Sequence, residues 1–280
     1  MNELTLFTIA LGLSKPWRVV DIKFSKEDGR LDLWLDFTKG ARFSCSTCEE
    51  KEGEVHDTQD RTWRHLNFFQ YETLLHARVP RVRCGRCGVH QVEVPWARPG
   101  SGFTVLFEML VLQLSREMSV AGVAEVTAEH ANRIWRILRH YVEQARLAVD
   151  LSGFHKLGLD ECSLRKGHVY MTSFSDLDAS RVLYLGEGRK KGVIQDFMED
   201  LKRRAFNPGQ IDVVCCDMWH PYLNGLRNHT PQARVVFDRF HVMGQINQAI
   251  ERVRREEQRA NAALKETRFL WLKNPKNLKE

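Results

Sequence analysis

The sequence predicts a multidomain chain in which an α+β part passes into an α/β part. Three observations predict it. Apolar and polar residues alternate from Trp17 to Phe43, the period of strands half-buried in a sheet. From Phe103 to Val149 the apolar spacing becomes helical. After Lys156, strand-like and helix-like runs alternate. The domains expected are 1–98, 99–150 and 151–280.

In the first part Val20, Ile22 and Phe24 define one strand face, and Leu31, Leu33 and Leu35 repeat it after Asp28-Gly29. That dipeptide suits a tight hairpin turn. A further strand-like run spans Phe69 to Val82. It lies between two C-x-x-C pairs, Cys45/Cys48 and Cys84/Cys87, which are separated by 35 residues. Four thiolates suit a structural tetrahedral Zn²⁺ site, and Gly85 and Gly88 suit the turn of the second knuckle. His56 and His90 are the second-choice ligands. Two redox pairs are the alternative, but the strand–helix setting of a thioredoxin-like motif is missing. The insert is long enough for two strands.

Between Arg61 and Arg98 stand seven arginines against two glutamates, interleaved with Trp63, Phe68, Phe69, Tyr71 and Trp96. Arg61, Arg64, Arg81, Arg83 and Arg86 are candidate phosphate contacts. A solvated face over a small aromatic core is the plainer alternative. Pro95 to Gly102, with two prolines and two glycines, reads as a linker.

In the helical part Phe103, Leu106, Phe107, Leu110 and Leu114 form one stripe. Ser119 can cap a short helix from Val120 to Val126. Thr127 can cap a longer one with Ile134, Ile137, Leu138, Tyr141 and Val142 on one face. Arg133, Arg136 and Arg139 then lie exposed, the pattern of a helix-turn-helix. A plain helical bundle has the same spacing.

The last part reads as three strands, helix, strand, helix, strand, helix, the order of a ribonuclease-H-like domain. Asp160 falls within its first strand, ahead of a turn at Arg165-Lys166-Gly167, and Asp217 directly follows the apolar run "VVCC". In that strand order the two carboxylates converge, and a convergent pair suits Mg²⁺ or Mn²⁺ holding phosphate oxygens. Strand-end capping is the ordinary role of such acids. Asp238 and His241, a D-x-x-H at a helix start, are secondary active-site candidates. Cys162, Cys215 and Cys216 read as buried strand residues.

No run approaches the ~20 apolar residues a membrane-spanning helix needs. The run from Leu4 to Leu13 follows an acid and not a basic segment, so it does not read as a secretory signal. Metal-type cysteine spacing without such a signal implies a reducing, cytoplasmic setting. A net charge of +6 permits a polyanionic partner.

Taken together, "RTWRHL", "PRVRCGRCG", "GLDECSLRKGHVYMT", "GEGR", "CCDMWHPYLNGL", "ARVVFDRFHVMGQINQAIERVRREE" and "LKETRFLWLKNP" run in one order over nearly the whole chain. In this the sequence resembles the ISL3 family of bacterial insertion-sequence transposases. The resemblance implies a zinc-binding domain, a helix-turn-helix and a DDE-type nuclease domain of ribonuclease-H-like fold. It carries the first two catalytic acids onto Asp160 and Asp217, and likens Asp238 and His241 to the D-x-x-H signature of Mutator-like transposases. The partners it implies are double-stranded DNA, at terminal inverted repeats and target, and further copies of the chain. The family's third acid, a Glu, lies beyond an inserted helical region after the long helix. Glu251, Glu256, Glu257, Glu266 and Glu280 do not match it. The expectation is therefore an incomplete nuclease domain from a truncated or split reading frame. The alternative function is an inactive DNA-binding regulator of the full-length enzyme.

Overall fold

The computed structural model describes residues 2–48, 53–165, 169–188, 191–218 and 220–273. They divide into two compact units, one ending at Glu143 and the other starting at Gln144.

The first unit opens with α1 (Glu3–Ala10), capped by the Asn2 side chain. Strands β1 (Trp17–Ser25) and β2 (Arg30–Phe37) form the expected hairpin, with Gly29 at φ 62° in its turn. That left-handed conformation is cheap for glycine alone. A bulge between Val19 and Asp21 changes which side chains face inward. Trp17 and Val19 are buried, whereas Val20 and Phe24, expected inside, are exposed.

The insert between the cysteine pairs is a long antiparallel hairpin of β3 (Val55–Phe68) and β4 (Tyr71–Cys84). β4 also pairs in parallel with β2, and β5 (Gly88–Gln91) folds back on its end, giving the order β1-β2-β4-β3 with β5 beside β4. One face buries Leu31, Leu33, Leu35, Leu75, Val79 and Val82 with Trp17, Trp63 and Trp96. Each such aliphatic side chain contributes about 1.5–3 kcal/mol by leaving water.

The segment read as a linker is packed. Trp96 lies edge-on to Trp17 and Trp63, with ring centroids 4.8 and 5.5 Å away. Its carbonyl accepts from the Val105 amide at 2.8 Å, and Phe103 bridges to Arg64. The aromatic indole outweighs the turn-forming composition around it.

Three helices follow: α2 (Val105–Glu117), α3 (Val120–Thr127) and α4 (Ala131–Leu147). Their core is Phe103, Phe107, Val111, Val123, Ile134 and Ile137. Leu106 and Val142, expected in the stripes, are exposed. Ser119 caps α3 through the Gly122 amide. Thr127 ends α3 instead of capping α4, because its hydroxyl donates to the Val123 carbonyl at 2.7 Å. The α4 start is met by His130 Nδ1, which accepts from the Asn132 amide at 3.2 Å.

A fully buried carboxylate locks these helices to the preceding segment. Glu108 accepts from Arg98 Nε at 2.9 Å, Ser101 Oγ at 2.6 Å and Tyr141 Oη at 2.7 Å. Burial and this carboxylate push the Tyr141 phenol up to about 12. His65 is a half-buried polar group, bonded through Nδ1 to Thr104 Oγ1 at 2.9 Å. Burial, helped by the neighbouring Arg64 charge, pulls its pKa down to about 4.

A pH dependence follows. The unfolded chain protonates His65 near 6.5 and the folded one only near 4, so between these values the unfolded state binds more protons. Stability is then lost as pH falls through this window, by about 3 kcal/mol. Urea unfolding at pH 7 and pH 4 should show that loss, and His65→Gln should flatten it. An unchanged slope in the variant would rule out His65 as its source.

The second unit follows the expected element order. It runs β6 (Lys156–Arg165), β7 (Val169–Asp176), β8 (Arg181–Glu187), α5 (Lys191–Arg203), β9 (Val213–Cys216), α6 (His220–His229), β10 (Arg234–Phe237) and α7 (Arg239–Glu257), with α8 (Arg268–Leu272) last. The sheet order is β10-β9-β6-β7-β8. β6, β9 and β10 are mutually parallel, while β7 and β8 are antiparallel additions. Helices α5 and α6 cover one face, where Leu157, Leu159, Phe174, Val214 and Cys216 meet Ile194, Phe197, Leu201 and Tyr222. Cys216 is buried as expected, but Cys215 is half-buried and Cys162 exposed. Lys166 and Gly167 lie outside the described residues.

Candidate functional site

The cysteine site is built by two turns at one end of the first sheet. The first knuckle follows β2 and is closed by mutual backbone bonds between Phe43 and Gly53, at 3.2 and 2.9 Å. The second is the β4–β5 turn, where Cys84 pairs with Gly88 at φ 89°. The ligand atoms of Cys45, Cys48, Cys84 and Cys87 all lie within 4.8 Å of one another. Tetrahedral Zn–S bonds of about 2.3 Å set the sulfurs about 3.8 Å apart, so the cluster fits the ion closely.

Amide donors support thiolate at this site. Thr47 N points at Cys45 Sγ at 3.5 Å and Arg86 N at Cys84 Sγ at 3.4 Å. The Cys48 and Thr47 backbone N–H groups pull the Cys45 thiol down to about 6. Cys87 is pushed up to about 12, first by its hydrogen bond with Cys48. A bound cation reverses that repulsion. The second-choice histidines are engaged elsewhere: His90 Nε2 donates to the Cys87 carbonyl at 2.6 Å, and His56 Nδ1 accepts from Arg83 at 3.2 Å.

The arginines do not share one environment. Arg64 is buried, which corrects its placement on a surface. It lies opposite Leu74 on the sheet face that α2 covers, with its guanidinium 5.3 Å from the Phe107 ring centre. It donates to the carbonyls of His65 and Thr73 and to Asn67, and so ties β3 to β4. Arg81 is exposed but forms a bidentate pair with Asp57, and Arg61 donates to Gln59 and Gln91. Arg83 and Arg86 are exposed at the knuckle.

On α4, Arg133 is half-buried, 4.2 Å over the Phe103 ring and 2.6 Å from Glu129. Arg136 and Arg139 are exposed, and no acidic partner pairs with either among the described residues. Trp135 stands exposed beside them. Sequence reasoning missed it because a tryptophan between core isoleucines reads as core. Its position one residue after Ile134 was the available signal.

Asp160 lies in the middle of β6, just past the stretch that pairs with β9, and Asp217 directly follows β9. Gly158 pairs with Cys215, and two residues further on each strand stand Asp160 and Asp217. Leu157, Leu159, Val214 and Cys216 point into the helix-covered core. By strand alternation Asp160 and Asp217 therefore share the opposite face, in matched register. Phe237 pairs with Cys216, so Asp238 stands next to Asp217 in the same row.

Asp238 also caps α7, accepting from Phe240 N at 2.8 Å. His241, in the first turn of α7, places Nδ1 3.4 Å from Asp217 Oδ1. Asp160 is exposed and Asp217 partly so. Both are hard oxygen donors open to solvent, a donor set that fits Mg²⁺ or Mn²⁺. Among the described residues, the four thiols form the one cluster of three or more Cys, His, Asp or Glu groups close enough to hold an ion. Glu251, on α7, is held by Arg254 and Arg255 at 2.8 Å, which pull its carboxyl down to about 2, the Arg254 hydrogen bond most of all.

Residues 41–87 match the zinc finger of the IS204/IS1001/IS1096/IS1165 transposases. Residues 92–142 match the helix-turn-helix domain of transposase family ISL3, and residues 157–280 match a transposase domain of that family. The transposase of insertion sequence element IS1001 from Bordetella parapertussis is 30% identical over 287 aligned positions, covering 96% of this chain and 68% of that protein. The transposase of IS1557 from Mycobacterium tuberculosis is 26% identical over 277, covering 97% of this chain and 62% of that protein. The chain thus spans about two thirds of the length of these relatives. Among the described residues no helix is long and apolar enough to cross a membrane. With the family's zinc-finger, helix-turn-helix and transposase models matching in turn along it, and a 30% identical transposase of which 68% is covered, the chain belongs to the ISL3 family of insertion-sequence transposases.

Proposed function

We propose that this chain binds the terminal inverted repeats of its element and takes part in metal-dependent DNA strand cleavage and transfer in the cytoplasm. The observation that carries the catalytic half is the matched register of Asp160 and Asp217 on one sheet face. The strand order β8-β7-β6-β9-β10, antiparallel then parallel, supports a ribonuclease-H-like fold for 151–280. In this reading 1–98 is the zinc-binding domain and 99–150 the helix-turn-helix.

Asp160 and Asp217 would hold Mg²⁺ or Mn²⁺, which supplies charge to phosphate oxygens and lowers the pKa of an attacking water or 3′-hydroxyl. Asp238 fixes the start of α7, and His241 orients the Asp217 carboxylate. A zinc ion on Cys45, Cys48, Cys84 and Cys87 holds the end of the β3–β4 hairpin. Two chains acting together at paired ends make a homo-oligomer the working form on DNA.

A second reading is favoured by one observation: no third carboxylate joins Asp160 and Asp217 within ion-holding reach among the described residues. In that reading the chain by itself occupies element ends and regulates cleavage without performing it.

DNA binding is tested on the full chain with a duplex carrying an element end. Affinity should fall steeply with salt. Replacing both Arg136 and Arg139 with alanine should weaken binding at least tenfold in 0.1 M salt and reduce the salt slope by about 2. Arg64→Ala should lower stability and leave that slope unchanged. Equal slopes for the wild type and the double variant would remove α4 from the interface.

A further inference from the structure

We propose that the second unit holds a small phosphate-class oxyanion in a basic cluster formed by Arg146, Arg181, Arg203 and Arg204. The cluster lies apart from the acid site. Arg181 pairs with Asp176, which pairs with Leu157 near the start of β6, three residues before Asp160 along the strand. Arg203 and Arg204 come from the end of α5, on the helix-covered face and not on the face of Asp160.

Arg204 carries the argument. Its side chain is 2% exposed, and Nε, Nη1 and Nη2 are all buried without a hydrogen-bond partner. Buried Arg181 Nε also lacks one. Native proteins rarely leave one such donor unpaired, and four in two adjacent guanidinium groups call for an acceptor.

The nearby carboxylates cannot serve. Asp200 accepts from Arg146 Nη1 with both oxygens at 2.6 Å and from Arg203 at 3.3 Å, leaving Arg204 at 3.8 Å. Asp176 accepts from the amides of Asp178 and Ala179 at 3.1 Å and lies 3.2 Å from Arg181. Neither carboxylate, among the described residues, comes within hydrogen-bond distance of Arg204. Burial pulls the Arg204 pKa down, and the Arg146 and Arg181 charges add to that effect.

A water molecule would offer an acceptor but leave the buried Arg204 charge without a close counter-ion. A tetrahedral dianion offers both, and its oxygens match the planar guanidinium fork. The depth of Arg204 favours a free ion over a DNA strand, with the exposed Arg203 at the rim as the way in.

Thermal unfolding of the full chain in potassium phosphate, compared with sodium chloride of equal ionic strength, is the test. Phosphate should raise the wild-type midpoint by about 4 °C at ten times its dissociation constant. Arg204→Met, which replaces the unpaired cation with an apolar chain, should unfold no earlier than wild type in chloride and lose the phosphate response. Arg181→Gln, at a more exposed position, should halve the response or better if Arg204→Met does not fold. Loss of the response in either variant, with or without competition between phosphate and duplex DNA, supports the site; competition identifies a DNA phosphate as the occupant. No phosphate effect on wild type, or an equal effect on wild type and variants, overturns it.

Discussion

Asp160→Asn or Asp217→Asn is expected to lower metal-dependent nicking of an element-end duplex by about a hundredfold to a thousandfold, with DNA affinity unchanged. The substitutions keep size and remove charge. In-line phosphoryl chemistry depends on placing phosphate and attacking oxygen within fractions of an ångström, and loss of a preorganised charge costs about 10²–10³ in rate. The assay needs a form of the protein that cleaves. This chain alone should bind end DNA and nick it weakly, because Asp160 and Asp217 have no third carboxylate in ion-holding reach among the described residues. Adding the part of the relatives' length that this chain does not span, in cis or as a second polypeptide, should restore nicking. Strong Mg²⁺-dependent nicking by the chain alone, abolished by Asp217→Asn, would make Asp238 the first candidate for the third acid, since it already stands beside Asp217 in the strand register. Nicking that survives both substitutions would remove these acids from catalysis.

Zinc is expected at one equivalent per chain, and Cys84→Ser combined with Cys87→Ser should abolish it. Structural zinc in small sites contributes on the order of 10 kcal/mol to local folding. The consequence here should be local. The sheet core of Leu33, Leu35, Leu75 and Val79 lies on the same strands but does not depend on the thiols for its burial. Hydrogen exchange should therefore accelerate strongly at residues 41–48 and in β5 (Gly88–Gln91), while β2 (Arg30–Phe37) stays protected. His90→Ala should retain the metal, because His90 is bonded to the Cys87 carbonyl. Less than roughly half an equivalent in the wild type, as measured by metal analysis against the four-thiol stoichiometry, would end the assignment.

Much of this protein was determined by its sequence alone. Two C-x-x-C pairs around a two-strand insert need only local turns and one hairpin to meet, and they do meet. The order of strands and helices after Lys156 follows from periodicity, which is set by backbone geometry and needs no tertiary information.

Tertiary structure decided which member of each pattern faces where. One extra residue at the Val19/Asp21 bulge turned Val20 outward, a shift that alternation cannot reveal. Arg64 looked like its exposed neighbours until α2 covered its side of the sheet, and Trp96 drew a proline-glycine segment into the core. The register that brings Asp160 level with Asp217 depends on hydrogen bonds between strands more than fifty residues apart. The unpaired donors of Arg204 likewise arise only when β8, α5 and the end of α4 bring their arginines around the same two carboxylates. Side-chain period is a property of one segment, whereas facing, register and charge balance are properties of segments meeting.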